Sequence, residues 1–189
     1  MRFLFLTMDG NHDAALHGAV QMLHRDHQIE VQLSLFNATS LRTPEEWQQL
    51  TQEMKRADFV FGSMLFGEEM VRPLQQILSE TKVPTAIITS NPTLIRCTHL
   101  GKFILKQKEE EGEPGLLKRW MNKFRPQKGH GETKRQLALL RNLGKVMKYI
   151  PGKARDLHTY IAIHDYWLHG SPENLRRMLC LLIDRYIPG

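Results

Sequence analysis

Three short stretches hold the residue types from which a polar site is built: Met8-Asp9-Gly10-Asn11-His12, Gly62-Ser63-Met64 and Ser90-Asn91. Each ends an apolar run. An open parallel sheet would gather all three beyond the carboxyl ends of its strands, where such sheets bind ligands. The candidate cleft is therefore Asp9, Asn11, His12, Gly62, Ser63, Met64 and Asn91. What is missing bounds its chemistry. Neither GxGxxG nor GxxxxGK followed by Ser or Thr occurs, so both common phosphate cradles are absent from the sequence. A phospho-acceptor site needs an aspartate after the third strand, where Gly62-Ser63 stands instead. A flavin-phosphate loop wants hydroxyls after the first strand, where Asp9 carries the wrong charge. Two readings of Asp9-Gly10-Asn11 stand: a tight turn that caps the next helix, or one wall of a polar cleft.

Nine histidines raise the question of a metal site. His24 and His27 lie in a charged helix end, and His164 and His169 are five apart, a spacing that does not share a helix face. No HExxH and no Cys/His cluster is present. Ser63 lacks the GxSxG elbow of a nucleophile. Cys97 and Cys180 are isolated, and Cys180, beside Leu179 and Leu182, reads as a core filler. Trp47, Tyr160 and Trp167 read as packing residues. The residues alone assign no catalytic group and no metal ligand.

The elements that would position the cleft follow from periodicity. Arg2–Met8 is a buried strand, and Asn11–Arg25 carries a helical stripe at Ala15, Leu16, Ala19, Val20 and Leu23. Ile29–Leu35 alternates apolar and polar residues, which suits a strand at a sheet edge. Thr43-Pro44-Glu45-Glu46 starts a helix with a capping box. Phe59–Phe66 is a third, buried strand running into a loop at Gly62-Ser63, a helix with Pro73 in its first turn follows from Val71, and Val83–Thr89 is a fourth strand. The expectation is a Rossmann- or flavodoxin-like, mostly parallel α/β sheet, in an order beginning 2-1-3-4, followed by a helical tail. Residues 1–100 form the sheet portion, 101–132 a basic flexible insertion, and 133–189 helices that pack on the sheet.

With 189 residues and 41% hydrophobic side chains the chain builds a real core. No apolar run approaches the ~20 residues of a membrane span. The net charge of +6 is unevenly placed: Lys102–Asp156 holds 15 Lys/Arg against 6 Asp/Glu, and the other 134 residues hold 11 against 14. A basic stretch of this kind is either a solvated segment or a contact for anions. Within it, Lys118, Arg119, Lys123, Arg125 and Lys128 are candidate contacts for an acidic partner or a carboxylate ligand. No nucleic-acid reading motif accompanies them, so no nucleic-acid partner is assigned.

Four longer segments carry a resemblance. FLTMDGNH, FVFGSMLFGEEMVRPLQQIL, ITSNPTLIR and the tail LGKVMKYIPGKARDLHTYIAIHDYWLHGSPENLRRMLCLLIDRYIPG are similar to the amino-terminal region of the large H subunit of magnesium chelatase. The resemblance runs through the whole chain in order, and least through the charged stretch. It implies a part in inserting Mg²⁺ into protoporphyrin IX, the committed step of chlorophyll and bacteriochlorophyll synthesis in photosynthesis. The H subunit binds the porphyrin, and two AAA+ partner subunits hydrolyse ATP. For the whole ligase the resemblance implies Mg²⁺, ATP and protoporphyrin IX; it assigns this segment no cofactor and no catalytic residue of its own.

H subunits are many times longer, which makes this chain an expected amino-terminal domain beside the rest of the subunit. The expected role is a lid or docking module. The apolar loop Ser63-Met64-Leu65-Phe66 would meet a macrocycle or the motor subunits, with the basic stretch meeting propionates. The expected location is the bacterial cytoplasm, or a plastid for a trimmed plant or algal form. The alternative is a free-standing Rossmann-like protein that binds a nucleotide or anion at its strand ends.

Overall fold

The computed structural model describes residues 1–105 and 152–187. Strand β1 (Arg2–Thr7) is buried at every residue after Arg2, as a strand covered on both faces must be. Helix α1 (Asp13–His27), β2 (Gln32–Asn37), α2 (Pro44–Arg56), β3 (Phe59–Ser63), α3 (Glu68–Glu80) and β4 (Thr85–Ile88) follow. The short α4 (Pro92–Ile95) leads to a hairpin of two-residue strands, β5 (His99–Leu100) and β6 (Phe103–Ile104). Helices α5 (Gly152–Leu168) and α6 (Pro172–Tyr186) complete the described residues.

The strands make one sheet in the order β2-β1-β3-β4-β5-β6. The first four are parallel, and the hairpin adds antiparallel to β4. The order beginning 2-1-3-4, the polar second strand at the edge and the helical carboxyl-terminal part are those expected of a Rossmann-like α/β fold. Register levels the strand ends: Thr7 lies opposite Asn37 and Ser63, and Ser63 opposite Ile88. The loops after β1, β3 and β4 therefore leave one edge together.

The two-residue period of the strands sorts the core into two layers. Leu4, Leu6, Val60 and Ile87 pack with Leu50 and Met54 of α2 and Met70, Leu74 and Leu78 of α3. Phe3, Phe5, Phe59 and Phe61 alternate with them and face the other way. Trp167 of α5 sits 4.4 Å from Phe61 and 5.8 Å from Phe5, and Tyr186 of α6 sits 6.2 Å from Phe59 (ring centroids). Helix α6 also packs along α1. Two helices from the far end of the chain thus close the aromatic face of the first strands.

Local chemistry sets most boundaries. Thr43 Oγ1 accepts from the Glu46 N–H while the Glu46 carboxylate accepts from the Thr43 and Arg42 N–H groups, which holds that carboxyl below its ordinary value. Ser171 caps α6 ahead of Pro172, and Gly170, at φ +25°, ends the linking turn. The third strand gives way to a loop where expected: β3 stops at Ser63, because Met64 turns to φ +59° and leaves the sheet. One expectation is corrected. α3 begins at Glu68, with Gly67 at φ +102° opening the turn, so Pro73 lies inside the helix rather than in its first turn. There it removes one backbone donor, and the helix survives on the buried stripe Met70, Leu74 and Leu78.

Past the last β4–β5 pair, side chains complete the ladder. The Ile87 N–H donates to Thr98 Oγ1 (3.0 Å), and the Tyr160 hydroxyl of α5 donates to the Ile87 carbonyl (2.7 Å). Asp156, 2% exposed, accepts from the Lys102 N–H (2.8 Å) and from the Tyr186 hydroxyl (3.1 Å). One carboxylate so joins the β5–β6 turn, α5 and α6. The last strand falls beyond residue 100, and residues 106–151, with the basic contacts expected at Lys118, Arg119, Lys123, Arg125 and Lys128, lie outside the described residues.

Candidate functional site

The loop after β3 is tied down by backbone bonds on its β4 side. The Met64 N–H donates to Thr89 O (3.0 Å), the Leu65 N–H to Ser90 Oγ (3.0 Å), and the Asn91 N–H to Leu65 O (2.9 Å). On the β1 side the Phe66 N–H points at Met8 Sδ at 3.3 Å. Within this frame Leu65 is fully buried while Met64 and Phe66 are 39% and 44% exposed. Met64 and Thr89, neither of them glycine, hold left-handed backbone at φ +59° and +44°. Such residues cost about 1–3 kcal/mol each and persist only where their surroundings over-determine them. Here the four contacts do so, and the result is a fixed tip that presents a thioether and a phenyl ring to solvent.

On the aromatic face of the same edge the groups are polar, with Ser63 buried and His12 and His164 half-buried. The His12 ring stacks on Trp167 (centroids 4.1 Å apart), and its Nε2 donates to the Trp167 carbonyl (3.0 Å). That bond places the proton of the neutral ring on Nε2 and leaves Nδ1 an acceptor. His12 Nδ1 and the Ser63 hydroxyl are buried and have no hydrogen-bond partner among the described residues. Nearby, His164 Nε2 lies 3.5 Å from Thr89 Oγ1. Burial lowers the pKa of His164, an effect Asp165 opposes.

The structure sorts the expected cleft residues by surroundings. Asp9, His12, Met64 and Asn91 stand on the strand-end loops, Ser63 is the last residue of β3, and Asn11 is exposed in the β1–α1 turn. Gly62 is elsewhere: a Cβ on it would lie 2.6 Å from Ile87 Cδ1 and 2.9 Å from Leu65 Cδ1, so its smallness serves the α2/α3 layer. Asn91 Oδ1 accepts from the Thr93 N–H (2.9 Å) and caps α4. A turn does lead into α1, but over Gly10–Asp13, with the Asp13 N–H on Gly10 O (3.1 Å), and Asp9 stands outside it; the capping part is corrected, because His12 is the N-cap and gives α1 no side-chain bond.

Periodicity missed the pairing of His12 with Trp167 across 155 residues, which no local signal announces. Beside the tip an open groove of about 740 Å³ runs past Glu68, Glu69, Val71, Arg72, Pro73 and Asn91. Among the described residues no group of three or more His, Cys, Asp or Glu side chains is placed to hold a metal ion. No described helix is long and apolar enough to cross a membrane.

Fold and strand-end site together define an α/β domain with helices on both sheet faces and its loops presented at one edge. The chain belongs to the family described as "Domain of unknown function (DUF3479)", whose profile matches residues 2–161. It is homologous to the H subunits of magnesium chelatase. It is 32% identical to that of Cereibacter sphaeroides over 146 residues, covering 76% of this chain and 12% of the relative. It is 35% identical to that of Rhodobacter capsulatus over 136 residues, covering 69% of this chain and 11% of the relative. The chloroplastic H subunit of Oryza sativa subsp. indica is 25% identical over 197 aligned residues, with 100% of this chain and 14% of the relative covered. The chain thus spans 11–14% of the length of these relatives. Among solved structures, the glutaminase domain of Trypanosoma brucei CTPS with bound acivicin aligns at a TM-score of 0.34 and 12% identity, over 51% of this chain and 38% of that one. A likeness that low is no guide to function.

Proposed function

We propose that this chain is a docking module of a magnesium-chelatase H-type protein and that it seats a partner surface rather than carrying out chelation. One observation carries the reading: the tip after β3 uses strained backbone to hold Met64 and Phe66 in water, where their exposure costs stability. A docking surface is the use that such a rigid apolar pair serves, because preorganised side chains lose little freedom on contact. Insertion of Mg²⁺ into protoporphyrin IX, driven by ATP hydrolysis in AAA+ partners, then belongs to the assembled enzyme. Its chelation centre lies in the remainder of the H-type protein. The reading puts the chain in the bacterial cytoplasm, or in a plastid for a plant or algal form.

The test places Met64→Ser and Phe66→Ser in a full-length H-type protein and measures chelation with and without its partner subunits. We expect the partner-dependent rate to fall at least tenfold while porphyrin affinity stays unchanged. A complementary titration adds protoporphyrin IX to the 189-residue chain and follows Trp47, Trp120 and Trp167 fluorescence, corrected for inner-filter loss and aggregation. Saturable one-to-one quenching that Met64→Ser abolishes would overturn docking in favour of substrate binding. The unpartnered Ser63 hydroxyl and His12 Nδ1 support a second reading, a small ligand held at the strand ends. It requires saturable nucleotide or anion binding by this chain alone, lost on Ser63→Ala.

A further inference from the structure

The charges around the tip say what kind of partner fits it. Met8–Asp13, on the β1 side of the tip, and Met64–Met70, the tip with the start of α3, carry four carboxylates, Asp9, Asp13, Glu68 and Glu69, and no Lys or Arg, and the β4-side loop Thr89–Asn91 carries no charge. The adjoining groove adds one cation, Arg72, and the interior Pro73 leaves the Glu69 carbonyl without its usual helical donor. A chain with a net charge of +6 therefore has an acidic rim beside its exposed Met64 and Phe66, with Glu68 and Glu69 following Phe66 directly after Gly67. Anionic groups such as porphyrin propionates are repelled by this rim, and ammonium or guanidinium groups are attracted. The apolar centre offers a soft thioether and a ring, which take aliphatic or aromatic anchors.

We propose that the tip docks a cationic amphipathic segment of a partner protein, with an apolar anchor on Met64 and Phe66 and Lys or Arg side chains on Glu68 and Glu69. This rests on the docking reading and adds the chemistry of the partner. The rim works opposite to the charge of the chain as a whole, so the two make opposite forecasts. Net charge favours an acidic ligand; the tip favours a basic one.

The probe is a pair of labelled helical peptides of about four turns, one of Lys and Leu and one of Glu and Leu. Each is titrated into the whole 189-residue chain and read by fluorescence anisotropy. We expect the Lys/Leu peptide to lose at least fivefold in affinity with Glu68→Gln/Glu69→Gln, and its salt dependence to flatten. Met64→Ser/Phe66→Ser should weaken it by a similar factor while leaving the salt dependence as it was. The exposed positions leave folding intact, which a circular dichroism melt checks. If the charge variant binds the Lys/Leu peptide as the parent does, the cationic partner is excluded. Docking itself is judged separately, by chelation with the partner subunits: the serine pair active and the glutamine pair inactive, or both fully active, overturns it. Serine-pair loss with an active glutamine pair keeps docking and removes only the cationic segment.

Discussion

Asp156 and His164 both stand on α5 and act on stability by different routes. Asp156 accepts two buried hydrogen bonds, from the Lys102 N–H and the Tyr186 hydroxyl. Asp156→Ala strands both donors and should cost about 2–4 kcal/mol, read as a lower urea midpoint at unchanged slope. Nothing local in Lys153-Ala154-Arg155-Asp156 announces this role, because its partners come from a turn 54 residues earlier and a helix end 30 residues later. His164 stabilises through its charge state. Burial depresses its native pKa, whereas the unfolded imidazole titrates near 6.5. As pH falls the unfolded chain therefore takes up its proton first, and the contribution present at neutral pH is lost through and below about pH 6.5. His164→Gln should flatten the decline in unfolding free energy between about pH 7.5 and about pH 5.

At the scale of elements, sequence chemistry was legible wherever partners are near in the chain. Thr43-Pro44-Glu45-Glu46 spelled the capping box of α2, and Thr43→Ala should cost about 1 kcal/mol in thermal or urea unfolding. The alternation of Ile29–Leu35 foretold the sheet edge, though β2 itself runs Gln32–Asn37. Legibility failed where tertiary contacts overrule local signals. Phe59–Phe66 reads as a strand running into a loop at Gly62-Ser63, yet nothing local shows that bonds to Thr89 and Ser90 fix the conformation of that loop. The interior Pro73 is likewise tolerated for the sake of a buried stripe. Gly62 resembled a loop residue and is a packing residue; Gly62→Ala pushes a methyl into Ile87 and Leu65 and should destabilise by about 1–3 kcal/mol. Met64→Gly should act the other way, raising stability by up to about 1 kcal/mol as the φ of +59° ceases to cost, while removing the thioether from the tip.

At the scale of the molecule, the aromatic face depends on two segments distant in sequence. The four rings of Phe3, Phe5, Phe59 and Phe61 are at most 2% exposed under cover that includes Trp167 and Tyr186. Fully burying a Phe contributes about 1.5–3 kcal/mol, so four together rival the whole net stability of a domain, about 5–15 kcal/mol. A fragment of residues 1–105 should therefore fail to give a cooperative unfolding transition and should bind a dye for apolar surface; sharp, dispersed amide NMR signals from it would contradict this. The arrangement has a consequence during synthesis. The ribosome releases the phenylalanines first and the tryptophan that shields them long after the last of them. Until then the nascent chain carries an open greasy face, a substrate for the chaperones that meet emerging polypeptides. The pace of translation through the intervening residues becomes the waiting time of the fold.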